Sequence, residues 1–279
     1  MSCDANRFVT WNINSLKVRL PHVLRYLDEK RPTLVALQEL KCVTEQVPTE
    51  PFTERGYQIL AFGQPTYNGV ALIAPNEWQA QEVHRGIPGF ADDAARLLAV
   101  EWRIPAQTRP LWTVSAYFPN GQAVGSEKFA YKLRWIEALT AWLAALDPQR
   151  QAIFVMGDAN IAPEARDAHP SWPEESIHVS SAERAAWAEL VAQGFTDAVR
   201  ICHPEEVLYS WWDYRQGAFR RNIGLRIDHI LVSAPLARCV IAAGVDREPR
   251  TWQRPSDHAP VWVEWLPPTN MATQSSNSV

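Results

Sequence analysis

The sequence predicts an α/β sandwich with mixed β-sheets. Short β-branched or apolar runs recur along the chain, and several sit as neighbours across a turn, as hairpin strands do. Helical spacing is confined to a few segments. No repeat and no linker divides the pattern, so residues 1–266 read as one domain. The polar, small-residue stretch 267–279 reads as a disordered tail.

Residues 8–11 form the first strand, which enters a turn at Asn12. Leu20, Val23, Leu24 and Leu27 recur at i, i+3, i+4 and i+7, so residues 18–29 are expected to be an amphipathic helix closed by Pro32. Residues 34–38 read as a buried strand. Residues 57–62 and 70–74 read as a strand pair, with Tyr67-Asn68-Gly69 leading into the second. Residues 97–102 and 111–118 form another antiparallel pair. The longest helix covers about 127–146, opened by Ser126, with Phe129, Leu133, Ile136, Leu139, Trp142, Leu143 and Leu146 as its apolar face. Residues 152–156 are a buried strand ending at Gly157. Ser180-Ser181-Ala182-Glu183 resembles a capping box for a helix that Gly194 ends. Residues 226–233 and 259–265 are late strands.

Hydrophobic residues make up 47% of the 279-residue chain, enough for a sizeable core, and its 13 tryptophans read first as core filling. The net charge of −4 argues against a surface coated in positive charge for nonspecific DNA binding, but leaves room for a local basic groove. Cys3, Cys42, Cys202 and Cys239 are far apart and make no Cys-x-x-Cys, so neither a zinc site nor a redox pair is indicated. Few residues precede the first strand, and no apolar run approaches the ~18 residues of a membrane span. The expectation is a cytoplasmic monomer with no membrane partner.

Polar clusters stand at the strand ends: Trp11-Asn12-Ile13-Asn14, Leu37-Gln38-Glu39, Gly157-Asp158-Ala159-Asn160, Arg226-Ile227-Asp228-His229 and Ser256-Asp257-His258. Charges at strand ends are rarely there for the core. If folding gathers them, carboxylates, carboxamides and an imidazole without cysteine make a site for a hard cation such as Mg²⁺ or Mn²⁺. Metal-assisted attack on a phosphate is the chemistry such a site supports.

With Tyr117-Phe118-Pro119-Asn120-Gly121, Trp211-Trp212-Asp213-Tyr214-Arg215 and Gly224-Leu225-Arg226-Ile227-Asp228 added, the sequence resembles the exonuclease III family of DNA-repair nucleases over about residues 7–266. The resemblance implies a four-layered α/β sandwich of the DNase I-like kind. It implies 3′-to-5′ exonuclease activity on duplex DNA, or cutting 5′ to abasic sites, or both, leaving a 3′ hydroxyl. It makes Glu39 the main metal ligand, with Asn12 and Asp257 contributing directly or through water. Asp158 would orient or deprotonate the attacking water, or protonate the leaving oxygen; Asn160 would hold water or phosphate. Asp228 partners His258, whose imidazole stabilises charge on the phosphate. The Tyr117 hydroxyl would reach the phosphate, with Asn120 beside it and Asn68 and Arg96 as further contacts.

Residues 209–226 interleave Trp211, Trp212, Tyr214 and Phe219 with Arg215, Arg220, Arg221 and Arg226, a pattern suited to stacking on bases and holding phosphates. By resemblance this loop enters DNA, and Trp211, Leu225 and Ile227 line the pocket for a sugar lacking its base. The loop 163–179 is compact and Pro-rich. In it, His178 is expected to stand beside that pocket and favour 3′-end trimming over abasic-site cleavage. Two other readings share the motifs: a phosphomonoesterase or phospholipase of the same superfamily, and a non-catalytic DNA-binding relative.

Overall fold

The computed structural model describes residues 5–105 and 107–267. The stretch expected to be a tail lies outside the described residues from 268 onward, as does Cys3. In chain order the elements are β1 (Asn6–Asn12), α1 (Leu16–Lys30), β2 (Leu34–Gln38), α2 (Glu50–Thr53), β3 (Tyr57–Phe62), β4 (Val70–Pro75), β5 (Gln79–Arg85), β6 (Leu97–Arg103), β7 (Leu111–Tyr117), α3 (Glu127–Ala145), β8 (Ala152–Asp158), α4 (Ser181–Ala192), β9 (Phe195–Asp197), α5 (Ala198–Cys202), α6 (Ala218–Arg221), β10 (Asp228–Ser233), α7 (Ala234–Ala237), β11 (Val240–Val245) and β12 (Val261–Trp265).

Two six-stranded mixed sheets result, ordered β11-β12-β1-β2-β4-β3 and β5-β6-β7-β8-β10-β9. Side chains alternate across each strand, so one strand feeds two cores. Phe8, Leu34 and Ala36 face the second sheet and pack with Phe154, Ile230 and Trp265; Val9, Val35 and Leu37 face α1 and meet Val23, Tyr26 and Leu27. The far side of the second sheet is covered by Trp135 and Leu139 of α3 and Trp187 of α4. The layers are therefore helix, sheet, sheet, helix.

Each sheet holds one parallel pair, β1 with β2 and β7 with β8. Their C-terminal ends lie at Asn12, Gln38, Tyr117 and Asp158, and antiparallel β10 starts opposite Asp158 at Asp228. Just behind this end a buried polar chain crosses between the sheets: Thr10 donates to Gln38 (3.2 Å), and Gln38 donates to Ser115 (3.1 Å). These links satisfy the buried Thr10, Gln38 and Ser115 side chains and help fix how the sheets sit. Two late strands start further along the chain than expected. β10 starts at Asp228 because the Arg226 amide is taken by the Asp167 carbonyl and the Ile227 amide by the Ser210 hydroxyl. β12 starts at Val261 because Ala259 donates to Ser210 and Pro260 has no N–H to give.

Candidate active site

Glu39 leaves β2 with φ 55°, and Lys41 follows at φ 54°; both lie in the left-handed region that non-glycine residues avoid. The turn is held from below, since Leu40 donates to the Gly69 carbonyl (3.1 Å) and Lys41 to the Asn68 carbonyl (2.9 Å). A Cβ on Gly69 would lie 2.8 Å from the Leu40 Cβ, so only glycine fits beneath this turn. Strain of this kind persists where the surroundings over-determine it, commonly at functional sites.

The strand ends assemble one line of hydrogen bonds and ion pairs. The Tyr117 hydroxyl donates to Glu39 Oε1 at 3.0 Å. The Asn12 carboxamide donates to Glu39 Oε1 and to Asp158 Oδ2, each at 2.9 Å. His258 Nε2 lies 3.7 Å from Asp158 Oδ2, and its Nδ1 lies 2.9 Å from Asp228 Oδ2. Asp228 is steadied by the Ser210 hydroxyl at 2.6 Å. Burial pushes the Asp158 carboxyl up to about 7, against the pull of His258, and Asp228 pushes the same way. Burial alone would lower His258, but the carboxylates of Asp228 and Asp158 outweigh it and push the imidazole up to about 10. Tyr117 is held well above its ordinary value by burial and by Glu39 and Asp158, so it stays a neutral donor.

Glu39, Asp158 and His258 each offer a ligand atom within 4.8 Å of the others. Two carboxylates converging in a cluster that includes no cysteine suit a hard divalent cation. Asp257 stands to one side: its oxygens accept from Asn14 Nδ2 (2.9 Å) and the Trp211 indole (3.0 Å). Burial would raise its pKa, but His258, Trp211 and Asn14 hold it below the usual carboxylate range. Two residues without an expected role complete this flank. Lys41 Nζ lies 2.7 Å from Glu39 Oε2 and donates to Asn14 Oδ1 at 2.6 Å.

Asn160 sits at the head of a second cluster. Its Nδ2 donates to the Phe118 carbonyl (3.1 Å), and its Oδ1 accepts from Asn120 Nδ2 (3.1 Å). Arg96 lies over the Tyr117 ring at 5.0 Å and donates to its carbonyl. The Asn68 carboxamide is turned instead to Gln64, at 3.0 Å.

His178 is buried rather than exposed at a surface edge. It is 7% exposed, with Nδ1 2.7 Å from the Asn160 carbonyl and Nε2 3.5 Å from Asn120 Nδ2. Burial, with the Lys132 charge nearby, pushes its pKa down to about 3, so the ring is neutral. Nδ1–H then donates to the carbonyl, and Nε2 faces the Asn120 amide as an acceptor.

The aromatic and basic loop divides. Leu225 and Ile227 pack with Ala162, Ala168 and Val179, flanked by Trp172 and Trp211, as an apolar wall close to His258. Arg220 and Arg221 are exposed on α6, and exposed Arg215 is tied to Asp213. Two expected DNA contacts are corrected. Trp212 is fully buried among Tyr209, Ala218 and Ala259, with its indole donating to Asn222 (3.2 Å), so it presents no face to a base. Arg226 is 1% exposed and locked between Asp167 and Asp197, with His229 beside it. A guanidinium held by two carboxylates has nothing left for a phosphate.

Residues 9–258 match the model of the endonuclease/exonuclease/phosphatase family. Exodeoxyribonuclease III of Haemophilus influenzae is 34% identical over 93% of this chain and 99% of its own. The chain belongs to the exonuclease III family. Among solved structures, the Neisseria protein NExo, described as a 3′ phosphatase bound to a product DNA hairpin, superposes with a TM-score of 0.87 at 39% identity, over 94% of this chain and 99% of its own. An AP endonuclease from Archaeoglobus fulgidus gives a TM-score of 0.83 at 32% identity, over 93% and 99%. No helix among the described residues is long and apolar enough to cross a membrane.

Proposed function

We propose that this DNA-repair nuclease uses Mg²⁺ or Mn²⁺ to trim 3′ ends of duplex DNA and cuts 5′ to abasic sites more slowly. The observation that carries the reading is the line Tyr117–Glu39–Asn12–Asp158–His258–Asp228, drawn from both sheets to one end of the sandwich. The relatives' names agree with it: exodeoxyribonuclease III, AP endonuclease and, for NExo, 3′ phosphatase. The preference for 3′ ends rests on His178, whose ring fills space beside Asn120 and Asn160 where an everted abasic sugar would need room. The described cysteines Cys42, Cys202 and Cys239 are free, which suits a reducing, cytoplasmic setting.

In the mechanism, Glu39 would hold the cation with Asn12 beside it, and Asp257 stands one neighbour away. When bound, the cation neutralises charge developing on the phosphate. Asp158, poised about neutrality, exchanges the proton of the attacking water or of the leaving 3′ oxygen. His258, held by Asp228, turns Nε2 toward a non-bridging oxygen and steadies its charge. Tyr117 and the Asn120–Asn160 pair orient the phosphate for in-line attack. The exposed Arg220 and Arg221 meet the DNA backbone, and Trp211, Leu225 and Ile227 shape the pocket for the reacting nucleotide.

Two labelled duplexes test this, one with a recessed 3′ end and one with an internal abasic site, each with Mg²⁺, Mn²⁺ or EDTA. Faster loss of 3′ nucleotides than nicking, both abolished by EDTA, is the expected result. Equal rates overturn the preference. Turnover that survives EDTA overturns the metal dependence, and activity on inositol phosphates alone overturns the nuclease reading.

A further inference from the structure

Lys132 of α3 and Glu183 of α4 are both fully buried and paired with each other through Nζ and Oε1. Removing two opposite charges from water costs several kcal/mol before their attraction is counted, and an apolar pair would pack at less cost. The atoms this pair touches give a reason for it. Lys132 Nζ donates to the Asn160 carbonyl at 2.7 Å and to the Asn120 carbonyl at 3.3 Å. Glu183 accepts from the His178 amide (3.1 Å), the Ser180 amide (3.2 Å) and the Ser180 hydroxyl (2.6 Å). Asn160 and His178 hold left-handed φ of 52° and 76°, conformations that the surroundings must enforce. Two peptide carbonyls and one peptide amide are thus fixed at the residues whose side chains form the Asn120–Asn160–His178 cluster. The capping box alone would need Glu183 but not a lysine.

We propose that Lys132, through its pair with Glu183, is a positioning residue for the Asn120–Asn160 carboxamides. This rests on the nuclease reading above. The lysine touches no substrate. It sets the peptide planes of Asn120 and Asn160, and so aims their side chains at the phosphate. Without it, Glu183 is a buried charge with no cation, and the two carbonyls lose their shared donor.

The test is a double-mutant cycle on the full chain with the 3′-recessed duplex. Lys132→Met should lower kcat by roughly 10- to 100-fold, the range a small misplacement of reacting groups costs, with little change in KM. Asn160→Ala alone reports on the site assignment, and unimpaired turnover there counts against the nuclease reading of Asn160. In the Asn160→Ala background Lys132→Met should cause no further loss of kcat, because both changes remove the same alignment, while its loss of melting temperature should persist. Losses of kcat that multiply, or a Lys132→Met protein with unaltered kcat, overturn the proposal while leaving the nuclease reading standing. If Lys132→Met does not fold, Glu183→Gln replaces it in the same cycle. It keeps the shape and an acceptor for His178 but removes the lysine's counter-charge, and the same non-additivity is expected.

Discussion

Replacing His178 by glycine probes stability and specificity together. At neutral pH the loss is two hydrogen bonds to the Asn120–Asn160 cluster, worth about 1 kcal/mol each, and the packing of a buried ring. Against this, the backbone at φ 76° suits glycine, and relief of left-handed strain returns about 1–2 kcal/mol. The strain relief about offsets the hydrogen bonds, so the net change at pH 7 should be a destabilisation set by the packing of the lost ring. Acid separates the proteins. The folded state holds the His178 ring neutral down to about pH 3, while in the unfolded chain it takes a proton as pH falls through 6.5. Protons then favour unfolding, and His178 by itself removes about 1.4 kcal/mol of stability per pH unit within that window, a loss of roughly 2.7 kcal/mol by pH 4.5. His178→Gly lacks this penalty. Urea unfolding at pH 7 and 4.5 reads it as a smaller acid loss in the variant. On DNA, the same substitution should raise abasic-site nicking without raising 3′ trimming. Equal acid losses in the two proteins would refute the buried neutral imidazole. Unchanged nicking would refute its obstruction of the pocket.

Further outcomes follow from the same geometry. Asp158→Asn and His258→Ala should each cut turnover roughly 10²- to 10⁴-fold while DNA binding persists in gel-shift titrations. Arg226→Ala should cost about 3 kcal/mol in denaturant unfolding, because Asp167 and Asp197 lose the guanidinium between them and keep only Arg200 and His229 as neighbours, and should leave the salt dependence of DNA binding unchanged. Arg220→Ala with Arg221→Ala should flatten the slope of log K against log salt by about 0.9 for each phosphate no longer neutralised, measured by fluorescence anisotropy.

The sequence carried the buried strands because their runs are apolar throughout. β5 escaped since Gln79–Arg85 is a mostly exposed edge strand, and β11 since its Ala and Gly carry weak strand preference. The catalytic line was readable because its carboxylates stand at strand ends, where burial of charge has no packing motive. Its supports were not. Lys132 on an apolar helix reads as a solvated cation, and nothing local shows that Glu183 of the capping box lies beneath it. Asn14 lies inside one strand-end cluster and Lys41 just past another, but only the turn after β2 brings them together. Trp212 and Arg226 escaped for one reason: a run of aromatic and basic residues does not say which of them turn inward, and two carboxylates far away in sequence decide it for Arg226.

The central claim is that Glu39 and the line of polar side chains joined to it make a metal-dependent phosphodiesterase site. Turnover of a 3′-recessed duplex by the unmodified protein and by Glu39→Gln, followed across a Mg²⁺ titration, tests it most directly. The account predicts no activity in EDTA, a loss of orders of magnitude in the variant with its fold intact, and a Mg²⁺ requirement moved to higher concentration. Near-normal turnover of Glu39→Gln at limiting Mg²⁺ would contradict it.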